Sequence, residues 1–122
     1  MATLSQLSQL PVLFFLTEFK QLVQDDKFYP INRREHLRAL ESMGLNKQTQ
    51  KDEIFSLTVE DYVSGPNLDK DLPGQIWVFG KMIEGIEVYI KLKIDLTNKG
   101  KIAKCISFHS AEYELRYPYK NP

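Results

Sequence analysis

Residues 75 to 109 read QIWVFGKMI, EG, IEVYIKLKI, DLTNKGK and IAKCISFH. Two β-branched and aromatic runs meet at Glu84 and Gly85, the pattern of a hairpin closed by a tight turn. Strand side chains alternate between faces, so Val88, Ile90, Leu92 and Ile94 share one face and Glu87, Tyr89, Lys91 and Lys93 the other. With a two-residue loop, Tyr89 lies opposite Gly80 and Lys91 opposite Val78, and the missing side chain at Gly80 leaves room beside the Tyr89 ring. A third run, Ala103 to His109, places Cys105, Ser107 and His109 on one face. If that face is the Tyr89 face, a tyrosine, two lysines and a histidine converge on one sheet surface.

Outward from the hairpin, toward the N-terminus, the period changes. From Pro11, a residue suited to a first helical turn, Val12, Phe15, Leu16, Phe19, Leu22 and Val23 recur at helical spacing and predict a helix from about Val12 to Asp26. Residues 1–11 read as a loose or weakly helical N-terminal extension. Phe28 to Ile31, interrupted by Pro30, is an edge strand or an extended connector. Asn32 with Glu35 resembles a capping box, opening a helix through Leu37, Leu40 and Met43 that Gly44 stops. A third helical piece follows Asn46, with Ile54, Phe55 and Leu57 on its apolar side, and Thr58 with Asp61 marks a further cap or turn. The stretch from Tyr62 through Gly65, Pro66 and Asp69 to Gly74 reads as a long irregular connection, and such connections often carry function. Beyond the hairpin, Tyr113, Leu115, Tyr117 and Tyr119 alternate with polar residues and predict a last, edge strand because of Pro118. Helices first and an antiparallel meander after them predict one α+β domain over residues 1–122, its N-terminal helices packed on one face of a small antiparallel sheet of about four strands.

At 122 residues, with 43% hydrophobic and 26% charged residues, the chain has the composition of a globular domain. Its net charge of zero is unevenly spread: residues 1–75 hold 8 Lys+Arg against 11 Asp+Glu, and residues 76–122 hold 8 against 5. The strand half is therefore the basic half, which permits a polyanion on the sheet. Arg33, Arg34 and Arg38 form a solvated helix face or a phosphate-binding patch. The lone Cys105 excludes an internal disulfide and a cysteine zinc site, and within a strand it reads as a small buried residue. The apolar run Leu10 to Leu16 is too short to span a bilayer and no basic residue precedes it, so no membrane partner and a cytoplasmic protein are expected.

No Gly-rich phosphate loop, zinc-protease motif, nucleophile elbow or dinucleotide fingerprint occurs, so neither a metal nor a nucleotide cofactor is expected. His109 can act as a general acid or base, since imidazole changes charge near neutrality, or stand as a half-exposed strand residue. Lys91 and Lys93 either stabilise charge on a phosphate or solvate the sheet. Glu87 either binds a substrate hydroxyl or pairs across strands, and Asp69 caps the Gly-Pro turn.

Read together, these positions resemble the MqsR family of bacterial toxins, RelE-like ribonucleases of toxin–antitoxin modules. The resemblance runs through FKQLV at 19–23, ALESMGL at 39–45, LTVEDY at 57–62, Gly65-Pro66 with Asp69, WVFG at 77–80, EVYIK at 87–91 and SFH at 107–109. It implies a RelE-like fold, an mRNA substrate cut without a metal, and a cognate antitoxin protein as partner. Carried over by position, it implies catalytic roles for Tyr89 and His109, with Lys91 beside them, and makes Lys93, Trp77, Glu87, Tyr62 and Asp69 candidate RNA contacts. Some members carry lysine where His109 stands, and Val63 replaces a basic residue after Tyr62. The reaction that fits is attack of a ribose 2′-hydroxyl on the adjacent phosphorus, giving a 2′,3′-cyclic phosphate and a 5′-hydroxyl. The competing reading is a non-catalytic module binding protein or RNA through the Trp77, Phe79 and Tyr89 surface.

Overall fold

The computed structural model of the chain describes residues 3–31 and 34–120. In chain order these form helices α1 (Leu4–Ser8) and α2 (Leu10–Gln24), strand β1 (Phe28–Pro30), helices α3 (Arg34–Ser42) and α4 (Lys47–Phe55) and a 3-10 turn over Val59–Asp61. Strands β2 (Tyr62–Leu68), β3 (Gln75–Ile83), β4 (Ile86–Thr97) and β5 (Gly100–Ser110) follow. The strands lie in the order β1-β5-β4-β3-β2, with β1 parallel to β5 and every other pair antiparallel. The architecture is α+β as expected, with five strands among the described residues rather than about four.

The β3–β4 hairpin has the expected register. Ile83 pairs with Ile86, so Glu84 and Gly85 are the whole loop, and both take the left-handed conformation (φ 51° and 76°) that a two-residue turn of matching twist requires. Tyr89 therefore stands opposite Gly80 and Lys91 opposite Val78. The other face, with Trp77, Phe79, Val88, Ile90 and Leu92, receives Val12, Phe15, Leu16, Phe19 and Val23 of α2. Phe15 stacks on Trp77 with ring centroids 4.8 Å apart. Each such side chain, fully buried, contributes about 1.5–3 kcal/mol, so this seam holds the helical layer on the sheet. Leu40, Ile54 and Leu57 extend it, while Phe55 turns outward. Gly44 (φ 71°) ends α3, and Asn46 caps α4 through a reciprocal pair of hydrogen bonds with Thr49. The proposed cap at Asn32, and Arg33, lie outside the described residues.

Of the two readings of the N-terminal extension the helical one holds at residues 4–8, because Thr3 and Gln6 form a capping box. Three expectations are corrected. The segment after Tyr62 is not irregular throughout: β2 occupies Tyr62–Leu68 as an edge strand, with one register shift at Val63 and a second that absorbs Gly65 and Pro66. Only the strap of residues 69–74 stays irregular.

The second correction concerns β5. Leu92 pairs with Cys105 but Lys91 pairs with Ser107, so Ile106 is an extra, bulged residue. The bulge resets the alternation. Cys105 lies in the core, away from Ser107 and His109, which stand opposite Lys91 and Tyr89 on the open face.

The third is the C-terminal segment, which forms no strand over residues 111–120. The Glu87 carboxylate accepts hydrogen bonds from the Leu115 amide and the Tyr117 hydroxyl, both at 3.0 Å, in place of a ladder. Leu115 and Tyr117 also fill the space at Gly80, where a Cβ would come within 2.5 Å of each. Tyr119 stacks on Tyr62 at 5.2 Å and donates to the Ser8 carbonyl, so the segment ties the open face to the helix side.

Candidate active site

The bulge and the hairpin register together build one cluster on the open face. Tyr89 of β4 and His109 of β5 are cross-strand neighbours, and their rings stack with centroids 5.2 Å apart and planes 16° apart. His109 Nδ1 lies 2.9 Å from the Ser110 carbonyl oxygen, which can only accept, so the ring proton sits on Nδ1. The lone pair of Nε2 is then available as a base. Lys91 places its Nζ 5.9 Å from the centre of the Tyr89 ring and makes no ion pair among the described residues. Burial, with a smaller contribution from Tyr113, pushes the Tyr89 phenol above its ordinary value, so it keeps its proton.

Two hollows flank the cluster. The larger, about 570 Å³, is roofed by the strap and lined on the sheet by Tyr89, Lys91, Lys104 and Ile106. The smaller, about 400 Å³, lies between α3 and β5 and is lined by His36, Ser107 and His109. Ile31 and Ile106 border both. His36 is buried, with Nε2 2.7 Å from the Gln50 amide nitrogen. Burial lowers its pKa. Gln50 also donates to Cys105 Sγ at 3.7 Å, while burial pushes the Cys105 thiol well up and leaves it protonated.

Of the residues singled out from the sequence, Tyr89, Lys91 and His109 are brought together. Lys93 shares their face yet is only 1% exposed: its Nζ is 2.9 Å from Asp69 Oδ2 and 3.6 Å from Asp95 Oδ1. Asp69 also accepts from the amides of Asp71 and Leu72, and the Lys93 amine with these donors holds its carboxyl down at about 2. Glu87 is on the open face but engaged by Leu115 and Tyr117. Trp77 and Tyr62 are not brought to this face. Trp77 is buried against Phe15, and Tyr62, opposite Phe79, stacks on Tyr119. The aromatic surface expected from Trp77, Phe79 and Tyr89 therefore does not form, because pleating sends the first two to the helices.

Sequence reasoning missed Lys70 on the strap and Lys104, which stands opposite Lys93. A signal for Lys104 was present. The apolar beat Ala103, Cys105, Phe108 skips from a spacing of two to three, which marks one extra residue in the strand. Lys70 had no such signal, since the path of an irregular strap is set by tertiary contacts.

These features define a class of small α+β protein with a helical layer on one sheet face and an aromatic, basic cluster displayed on the other. Residues 13–110 match the family model described as "Motility quorum-sensing regulator, toxin of MqsA". The chain belongs to this MqsR toxin family, and is thus a toxin of a toxin–antitoxin module with a cognate antitoxin as partner. No curated protein and no solved structure matches the chain significantly. Among the described residues no helix is long and apolar enough to cross a membrane.

Proposed function

We propose that this toxin is a metal-independent endoribonuclease that cuts mRNA by attack of a ribose 2′-hydroxyl on the adjacent phosphorus. The observation that carries this reading is the stacked Tyr89–His109 pair with Lys91 beside it on the open sheet face, Tyr89 and Lys91 lining one hollow and His109 the other. His109 Nε2 takes the 2′-hydroxyl proton as the O2′–P bond forms. Lys91 offsets charge developing on the phosphate oxygens. The P–O5′ bond breaks, and the departing 5′-oxygen takes a proton from the Tyr89 phenol, leaving a 2′,3′-cyclic phosphate and a 5′-hydroxyl. Solvent then returns a proton to Tyr89 and removes one from His109. His109 already covers one face of the Tyr89 ring, which favours proton transfer over base stacking as the role of Tyr89.

The test is incubation of the purified toxin with single-stranded RNA in excess EDTA, with analysis of the product ends. Cleavage leaving cyclic phosphate is expected. Activity abolished by EDTA and restored by a divalent metal would refute metal independence, and no cleavage under any condition would refute the ribonuclease reading.

A further inference from the structure

Lys93 and Asp69 both occur in the basic and acidic pattern from which RNA contacts were expected, yet each is engaged by the other. The Lys93 amine reaches up from β4 to Asp69 at the start of the strap, with Asp95 two residues along its own strand. Asp69 in turn orders the strap from within, through the amides of Asp71 and Leu72 and through its own amide, which donates to the Gly74 carbonyl at 3.3 Å. The far end of the strap closes over the same lysine: a Cβ at Gly74 would stand 2.8 Å from Lys93 Cε. The strap thus sits on the Lys93 stem as a lid on a post. Between its ends, exposed Lys70 lines the cleft with Lys91 across from it. Lys104 is partly offset by Asp95 at 3.6 Å, so Lys70 and Lys91 are the cleft lysines without an ion pair among the described residues.

We infer that Lys93 is a positioning residue, whose clasp with Asp69 holds the strap over the sheet and so sets Lys70 as a backbone-phosphate contact for single-stranded nucleic acid. The inference rests on the ribonuclease reading for its ligand but not for the clasp itself. A buried, paired amine cannot reach a phosphate without breaking its pairing, whereas an ordered strap can present an exposed lysine repeatedly in one place.

The experiment has two arms, both on the full chain. Amide hydrogen exchange is measured at Asp71 and Leu72 in wild type, Lys93→Met and Gly74→Ala, with circular dichroism to establish folding. Gly74→Ala keeps both charges but crowds the post, so it lifts the strap by a different route. Exchange faster by about tenfold in each variant is expected, and wild-type exchange in both would overturn the clasp.

The second arm measures binding of a 2′-O-methyl RNA oligonucleotide, which lacks the nucleophile, to wild type, Lys70→Ala, Lys93→Met and the double variant, at several salt concentrations. Each single variant is expected to bind about 3- to 10-fold more weakly and to lose about 0.7 from the salt slope, the value for one phosphate contact. The double variant should bind no more weakly than the singles, because both remove the same contact. Additive losses would make Lys93 a phosphate ligand in its own right and overturn the proposal. Wild type that fails to bind the oligonucleotide would remove the ligand together with the ribonuclease reading, while the exchange arm still decides the clasp.

Discussion

At the scale of single residues, the proposed chemistry depends on which nitrogen of His109 carries the proton, and that is set by a backbone carbonyl one residue away. His109→Gln keeps size and hydrogen bonding but has no basic lone pair. It is expected to lower the single-turnover cleavage rate by about 100-fold or more while binding of the 2′-O-methyl oligonucleotide stays near wild type. A folded variant at the wild-type rate would return the proton transfer to Tyr89. The second histidine makes a different prediction. Burial lowers the His36 pKa in the folded state, so as pH falls the unfolded chain takes up that proton first. This part of the stability is complete above the unfolded value of about 6.5 and is lost below it. The urea midpoint should drop between pH 7.5 and pH 5, and His36→Leu should shrink that drop.

At the scale of elements, the bulge at Ile106 lets one strand serve both layers. N-terminal to it Ala103 and Cys105 face the core, and C-terminal to it Ser107 and His109 face the open side with Phe108 between them turned inward. Deleting Ile106 leaves Cys105 followed directly by Ser107, a regular alternation that keeps Cys105 in and His109 out. The deletion variant is expected to unfold cooperatively and to keep Cys105 shielded from a thiol reagent in the native state. Rapid reaction of that thiol would mean the register had slipped. The hairpin register at Glu84 and Gly85 was legible because turn chemistry and pattern agree. The bulge was not read because its signal is a single skipped beat.

For the whole molecule, the C-terminal segment joins layers that the sheet separates. Leu115 is buried against Gly80 on the open face, while Tyr119 reaches the Ser8 carbonyl on the helix side. Leu115→Ala is expected to cost about 2–5 kcal/mol in chemical denaturation, as for other buried leucines, although the residue lies beyond the region matched by the family model. A loss below about 0.5 kcal/mol would show that the segment is not packed in solution.

Local pattern determined much of this protein. Helical spacing from Val12 to Val23, the Gly44 stop, the Asn46 start and the two-residue turn at Glu84 and Gly85 each rest on contacts within a few residues, which a linear reading can follow. From these came the α+β class, the core face of β4 and the meeting of Tyr89 with Lys91. Tertiary structure alone decided the fate of the polar groups. Lys93, Glu87 and Asp69 look the same in sequence whether they meet solvent, substrate or one another, and the pairings of Lys93 with Asp69 and of Glu87 with Leu115 and Tyr117 span 24 or more residues. Likewise, alternation predicted a strand for residues 113–119, but the vacancy at Gly80 and the Glu87 carboxylate offered those side chains a better-satisfied place across the sheet. Long-range pairing of buried charge and the filling of space are properties of the assembled chain, and there the partners of these polar residues were decided.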